Sequence, residues 1–270
     1  MGYWGRFARF NRQLIAEYER LRGHQFVLID GGAAGSLSEP FDQSAAALTA
    51  IRFEPRGQSS VDSAGHDVYI DGALWSNDGS GTLHVAHRES TSSVSPPNLP
   101  FLEEFDDTYG APPRSTVATA SVPFRSIDSC VENLEIAPPN FIKLDVHSSE
   151  LPALQGSEKS LGSCVGLLVE TWNSEDHRGQ GLHYQVEEFC IRNGFEVWDI
   201  RCAARWLVKH QGTVVEGERG RYIGSEMLLF RSDVPRDLLL ERAFSFALFG
   251  FYSAALNDLE QLNLHEVRGL

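Results

Sequence analysis

A chain of 270 residues, 42% hydrophobic and 22% charged, has the composition of a globular protein and the length for one large domain spanning 1–270. Its 23 Lys and Arg against 37 Asp and Glu leave a formal net charge of −14, which argues against a non-specific grip on nucleic acid or an anionic membrane and favours a small-molecule partner. Cys130, Cys164, Cys190 and Cys202 form no C-x-x-C pair, so reduced thiols in a cytoplasmic setting are expected, and zinc is not.

Met1 to Arg12 has no continuous apolar segment, so no signal peptide is read there. Phe7, Phe10, Leu14, Tyr18 and Leu21 recur at helical spacing and predict an amphipathic helix over 6–22. Phe26 to Ile29 then run into Asp30, Gly31, Gly32 and, three residues on, Gly35: a buried parallel strand ending in a glycine turn. Glycine lets a ligand approach the backbone closely, although a strand-to-helix turn needs glycine for geometry alone. A dinucleotide fingerprint would place its first glycine where Asp30 stands, so the fit fails there, and nicotinamide-dependent oxidoreduction is disfavoured. A carboxylate repels a pyrophosphate and suits a ligand with an amino group and a positive centre, such as S-adenosylmethionine.

A helix over 42–47 and a strand over 48–54 follow; the strand closes on Glu54, where a ribose diol would need an acceptor. Val68 to Leu74 reads as a third strand, followed by a turn through Asp78 and Gly79 and a short strand at 82–85. Segment 87–115 is rich in hydroxyls, prolines and acids and reads as a substrate lid or a solvated connection. Strands are expected at 116–122, 141–147, 165–170, 195–200 and 226–230, with helices after Ser148 and over 183–193, the latter stopped by Gly194. Residues 235–264 read as helical; the apolar run 243–256 within them is too short to span a membrane. The aromatic set Phe244, Phe246, Phe249, Phe251 and Tyr252 reads as core, or as a homodimer surface if it forms an exposed stripe.

With these pieces in order, the chain resembles the FkbM family of S-adenosylmethionine-dependent methyltransferases. Residues 29–35 look like the family's Asp-Val-Gly-Ala-Asn-x-Gly turn, Phe53-Glu54-Pro55 like its Phe-Glu-Pro, and Ala73-Leu74 before Asp78-Gly79 like its third-strand segment. Phe141 to Val146, continuing through Glu150-Leu151 and Leu154-Gln155-Gly156, is similar to its Lys-Ile-Asp-Val-Glu-Gly-x-Glu run ending in Leu-Lys-Gly. The match covers about residues 26–172 and departs from the pattern at Ala34, where the family has Asn, and at His147-Ser148, where it has Glu-Gly. It implies a class I methyltransferase fold: a doubly wound α/β sheet, Rossmann-like, mainly parallel and seven-stranded with one antiparallel edge strand and helices on both faces.

In such sheets ligands bind beyond the carboxyl ends of the strands, so Asp30, Glu54, Asp145 and Glu170 are expected to face one crevice. The resemblance places the methionine part of the donor against Gly31, Gly32 and Gly35 with Asp30 near its amino group, the ribose on Glu54, and the adenine beside Ala73, Leu74 and Asp78. Asp145, His147 and Glu150 form the expected catalytic floor. His147 is the candidate base, its pKa raised by neighbouring carboxylates, or else a cap for the next helix; His84 and His87 stand in reserve. Asp145, His147 and Glu170 could gather a divalent metal, yet no metal is expected, since nothing in the spacing demands one. The resemblance implies O-methylation of a hydroxyl on a sugar or secondary metabolite. A catalytically degenerate binding domain is the alternative.

Overall fold

All six residues of Phe26–Gly31 are buried, as a central parallel strand covered on both faces requires. The computed structural model describes Leu14, Tyr18 and residues 20–32, 35–55 and 67–263. Its strands are β1 (Phe26–Gly31), β2 (Leu48–Glu54), β3 (Asp67–Asp71), β4 (Ala73–Leu74), β5 (Gly79–Ala86), β6 (Thr116–Arg125), β7 (Phe141–Leu144), β8 (Gly166–Trp172), β9 (Phe195–Trp206), β10 (Lys209–His210), β11 (Thr213–Val214) and β12 (Arg221–Arg231). Seven of them form one sheet in the order β3-β2-β1-β7-β8-β12-β9. Six run parallel; β12 is antiparallel to both β8 and β9 at one end of the sheet. The chain therefore has the doubly wound, mainly parallel α/β fold expected.

Helices cover both faces because both faces of these strands are apolar. On one face, Leu28, Phe141, Leu168, Leu228 and Phe230 meet the C-terminal helices; on the other, Ile29, Ile51, Ile142, Leu167 and Val169 meet Ile127, Leu154, Val186 and Cys190. Among the described residues between Phe26 and Asn263, the α-helices are the single turns α1 (Leu99–Leu102) and α2 (Ala111–Arg114), then α3 (Ile127–Glu132), α4 (Glu150–Gln155), α5 (His183–Arg192), α6 (Leu239–Leu248) and α7 (Tyr252–Gln261). A 3-10 turn, Phe41–Ala47, links β1 to β2. The expected C-terminal helical segment is two helices, broken where Gly250 adopts φ +85°. Phe244, Phe246 and Phe249 are buried, with Phe251 and Tyr252 packed against them, so this aromatic set is core. Leu14 and Tyr18 of the expected N-terminal helix are buried in the same cluster. Most of 6–22 lies outside the described residues.

The single strand expected over 68–74 is divided at Gly72. There φ is +140°, and a Cβ would come within 2.6 Å of Arg125 Cγ, so glycine alone lets the chain step out of the main sheet. The continuation, β4, joins β6 and β5 in a separate three-stranded sheet, order β4-β6-β5. Residues 201–222, between the strands expected at 195–200 and 226–230, are mostly strand: β9 and β12 run on past the core, with the small β10-β11 pair between them. No helix among the described residues is long and apolar enough to cross a membrane.

Phe230 is fully buried, and its ring lies 4.4 Å from that of Phe246 and 6.0 Å from that of Phe249, centroid to centroid, so it carries the contact between β12 and the C-terminal helices. Phe230→Ala is predicted to destabilise the fold by about 3–5 kcal/mol in urea unfolding. A loss below about 1 kcal/mol would show that the helices dock through other contacts.

Candidate functional site

The turns after β1 and β7 press against each other, and glycine makes that approach possible. Gly32 adopts φ +84°, and a Cβ there would lie 1.8 Å from the backbone oxygen of Asp145. Beyond the carboxyl ends of β1, β2 and β7 lies a cleft. Its walls are Gly32, the Phe53-Glu54-Pro55 corner, Ala73 and Leu74 of β4, Leu83 of β5, Glu89, Ser90 and Ser92 to Val94, and the turn from Asp145 to His147 with Ser149. Three acids, Glu54, Glu89 and Asp145, line it, and no Lys or Arg does among the described residues.

The expected cofactor residues divide between this wall and the structure behind it. Gly32, Glu54, Ala73 and Leu74 stand together in the wall. Gly31 backs them, packed so tightly that a Cβ would meet Leu74 Cδ1 at 2.8 Å. Gly35 has φ +97° and serves the turn. Asp30 does not reach the cleft, because it is buried and its carboxylate lies 3.0 Å from Lys143 Nζ and 3.3 Å from Arg52 Nη2. Asp78 does not border it either: its Oδ1 accepts the Ser126 N–H at 2.8 Å, fastening the end of β6 ahead of α3.

The floor brings Asp145, His147 and Glu170 together. One ligand-type atom from each lies within 4.8 Å of the others, and His147 Nδ1 stands 3.6 Å from Glu170 Oε2. Asp145 is half-exposed; the other two side chains are mostly covered. Glu150, expected in the floor, lies behind it, where its buried carboxylate accepts the N–H groups of Val146 at 3.2 Å and Ser148 at 3.1 Å. It holds a turn in which His147 and Ser148 both have positive φ, +47° and +98°, in the region glycine favours. Ser93 holds the same turn from segment 87–115, its hydroxyl donating to the His147 carbonyl at 2.5 Å and lying 2.6 Å from Ser148 Oγ. His147 is therefore not a helix cap; its imidazole faces Glu170.

Burial sets the protonation of this floor. It lowers the pKa of His147, outweighing the attraction of Asp145, so the imidazole is neutral at neutral pH rather than raised as expected from sequence. Burial also raises Glu170 well above the usual carboxylate range, with the charges of Asp145 and Glu150 adding to it. Asp145 goes the other way: partial burial pushes it up, but the charge of Lys143 outweighs that and holds it low. Glu150 is pushed up to about 8 by burial, only partly offset by its backbone hydrogen bonds.

A second buried polar group lies beside the floor and is not apparent from the sequence. Asp176 and His177 are almost fully covered, their side chains 3.3 Å apart; Arg114 Nε lies 3.5 Å from Asp176, and the His177 ring is 6.5 Å from that of His147. In sequence Asp176-His177 sits in a polar turn that resembles surface. Segment 87–115 buries it: Asn98 donates its N–H to the Asp176 carbonyl at 2.8 Å, and Pro97 bridges to His177. His84 is half-buried and its pKa is lowered, first by burial and then by His177, while His87 is exposed.

No family model and no curated protein matches the chain. Among solved structures it is similar to the methyltransferase FkbM from Methylobacillus flagellatus, with 16% identity and a TM-score of 0.36 over 76% of this chain and 43% of that one. It is also similar to magnesium protoporphyrin IX methyltransferase from Synechocystis, with 13% identity, a TM-score of 0.34 and coverage of 82% and 78%. A third is 1,6-didemethyltoxoflavin-N1-methyltransferase from Burkholderia thailandensis, with 7% identity, a TM-score of 0.35 and coverage of 83% and 79%. The chain thus spans less than half the length of the first of these.

The raised pKa of Glu150 has a consequence for stability. Native Glu150 keeps its proton up to about 8, whereas the unfolded side chain loses it near 4.5, so this contribution is complete below the lower value and lost as pH rises through the upper one. The urea midpoint is predicted to fall from about pH 5 to about pH 9 more steeply in the wild type than in Glu150→Gln. Parallel slopes in the two proteins would remove Glu150 as the cause.

Proposed function

We propose that the chain is an S-adenosylmethionine-dependent methyltransferase acting on a small molecule. The observation that carries this reading is the charge of the cleft: three acids and no Lys or Arg among its described wall residues, at the carboxyl ends of parallel strands where such folds take nucleosides. A phosphate-bearing dinucleotide would meet three carboxylates in this wall, whereas a sulfonium carries the positive charge that carboxylates favour. Glu54 is the acceptor for the ribose hydroxyls, Ala73 and Leu74 offer an apolar border to the base, and the backbone at Gly32 takes the amino-acid part. Asp30 acts from behind, through Lys143 and Arg52, as a positioning residue.

Methyl transfer asks the protein to align the acceptor with an already electrophilic carbon and to remove one proton. Asp145 and His147 stand at the end of the cleft suited to this, and burial keeps a lone pair on the imidazole. A hydroxyl acceptor on a sugar or secondary metabolite follows from the family resemblance, which is also what supports O-methylation. The four free cysteines, three of them buried, fit a cytoplasmic protein.

Calorimetric titration tests the reading. S-adenosylmethionine is expected to bind the full chain, and Glu54→Gln to weaken it about tenfold or more, while NADPH does not compete. No binding of S-adenosylmethionine overturns the proposal, and binding without methyl transfer to any hydroxyl acceptor would favour the degenerate domain.

A further inference from the structure

We propose that Asp145, His147 and Glu170 together hold one first-row divalent cation at the floor of the cleft. The three side chains come from the turn after β7 and from β8, and their ligand-type atoms lie within 4.8 Å of one another. Two ligand atoms each about 2.1 Å from one ion stand roughly 3.0–4.2 Å apart, and His147 Nδ1 and Glu170 Oε2 are separated by 3.6 Å. Asp145, half-exposed, has the freedom to complete the set by a side-chain rotation.

Two independent features point to a ligand at this spot. His147 Nδ1 and Glu170 Oε2 are both sealed from solvent and have no hydrogen-bond partner among the described residues, which is costly for groups of this polarity unless something else satisfies them. The backbone that aims the imidazole at Glu170 is held in an unfavourable conformation at two successive non-glycine residues, fixed from two sides by Glu150 and Ser93. Such strain persists where geometry matters.

The neighbouring fixed cations are already engaged. Lys143 Nζ is 4.0 Å from Asp145 but 3.0 Å from Asp30, and Arg114 faces Asp176. That leaves Asp145 and Glu170 as the carboxylates able to charge-balance an ion. One imidazole nitrogen with two carboxylate oxygens suits Mn²⁺, Fe²⁺ or Zn²⁺, whereas Ca²⁺ seeks six to eight oxygens and Mg²⁺ an oxygen octahedron. Three protein ligands leave positions open toward the cleft, and His147 then gives its lone pair to the ion rather than to a proton. Occupancy does not depend on the function proposed above; a role for the ion in activating an acceptor hydroxyl rests on it.

The test is titration of the full chain, stripped with a chelator and dialysed, with Mn²⁺ followed by the electron paramagnetic resonance of the free ion, in the absence of S-adenosylmethionine. One Mn²⁺ per chain is expected, displaced by Zn²⁺, with affinity lowered about tenfold or more in Glu170→Gln and His147→Ala and unchanged in the surface control Asp107→Asn. Asp145→Asn, at a half-exposed position, gives the same loss should either buried variant fail to fold by circular dichroism. Absence of stoichiometric binding, equal displacement by Ca²⁺, or unchanged affinity in the folded floor variants overturns the site. A chain that binds Mn²⁺ but not S-adenosylmethionine keeps the cation site and loses the methyltransferase reading, and the reverse result does the opposite.

Discussion

Asp30 is a buried carboxylate held between two cations, and the rest of the sheet is arranged so that it can be. The register places Tyr69, Arg52, Asp30 and Lys143 side by side on β3, β2, β1 and β7. Arg52 reaches Asp30 on one side and Asp67 and the Tyr69 hydroxyl on the other, at 3.3, 3.3 and 2.8 Å. Parallel neighbours lack a hairpin to set their register, and apolar side chains tolerate slippage better than a charged row does. Removing one member of such a row leaves an uncompensated buried charge, a loss of about 3–5 kcal/mol, so the row specifies alignment even where its net contribution to stability is small.

That alignment determines the electrostatics one layer further on. Because Asp30 and Asp67 engage Arg52 and Lys143 below the strand ends, these cations stay out of the cleft. The described wall of the cleft carries the acids Glu54, Glu89 and Asp145 among apolar groups, serines and His147. The net charge of −14 adds a field that draws cations toward the molecule. The same arrangement would serve both the positively charged donor and the divalent ion proposed above.

The fold was largely legible in the sequence, because burial on both faces leaves continuous apolar runs such as 26–29 and 165–169, and glycines mark the turns. The cleft wall at Gly32, Glu54, Ala73, Leu74 and Asp145 was legible for a related reason: each stands at or near a strand end, and strand ends can be counted. Contacts that depend on register or on distant segments were not. Arg52 reads as one polar residue in a strand until the pairing sets it beside Asp30. Asp78 reads as a turn residue near a ligand, but its partner is the backbone of Ser126. Ser93, Arg114, Asp176 and His177 converge only because segment 87–115 folds across the end of β8.

Ser148 shows why that segment matters to the chemistry. At φ +98° a glycine would sit without strain, and glycine is what the resembled family carries there, so a side chain at this position costs about 1–3 kcal/mol. Its hydroxyl returns a contact that glycine could not make, 2.6 Å from Ser93 Oγ, while the same Ser93 hydroxyl holds the His147 carbonyl. The segment that walls the cleft is thereby fastened to the turn that aims His147. A ligand that shifts residues 90–94 must shift Ser93 with them, and the imidazole loses its alignment with Glu170 unless the turn follows. The wall of the cleft and the turn that carries His147 are therefore one hydrogen-bonded unit, joined through two serine hydroxyls and held from behind by the carboxyl of Glu150.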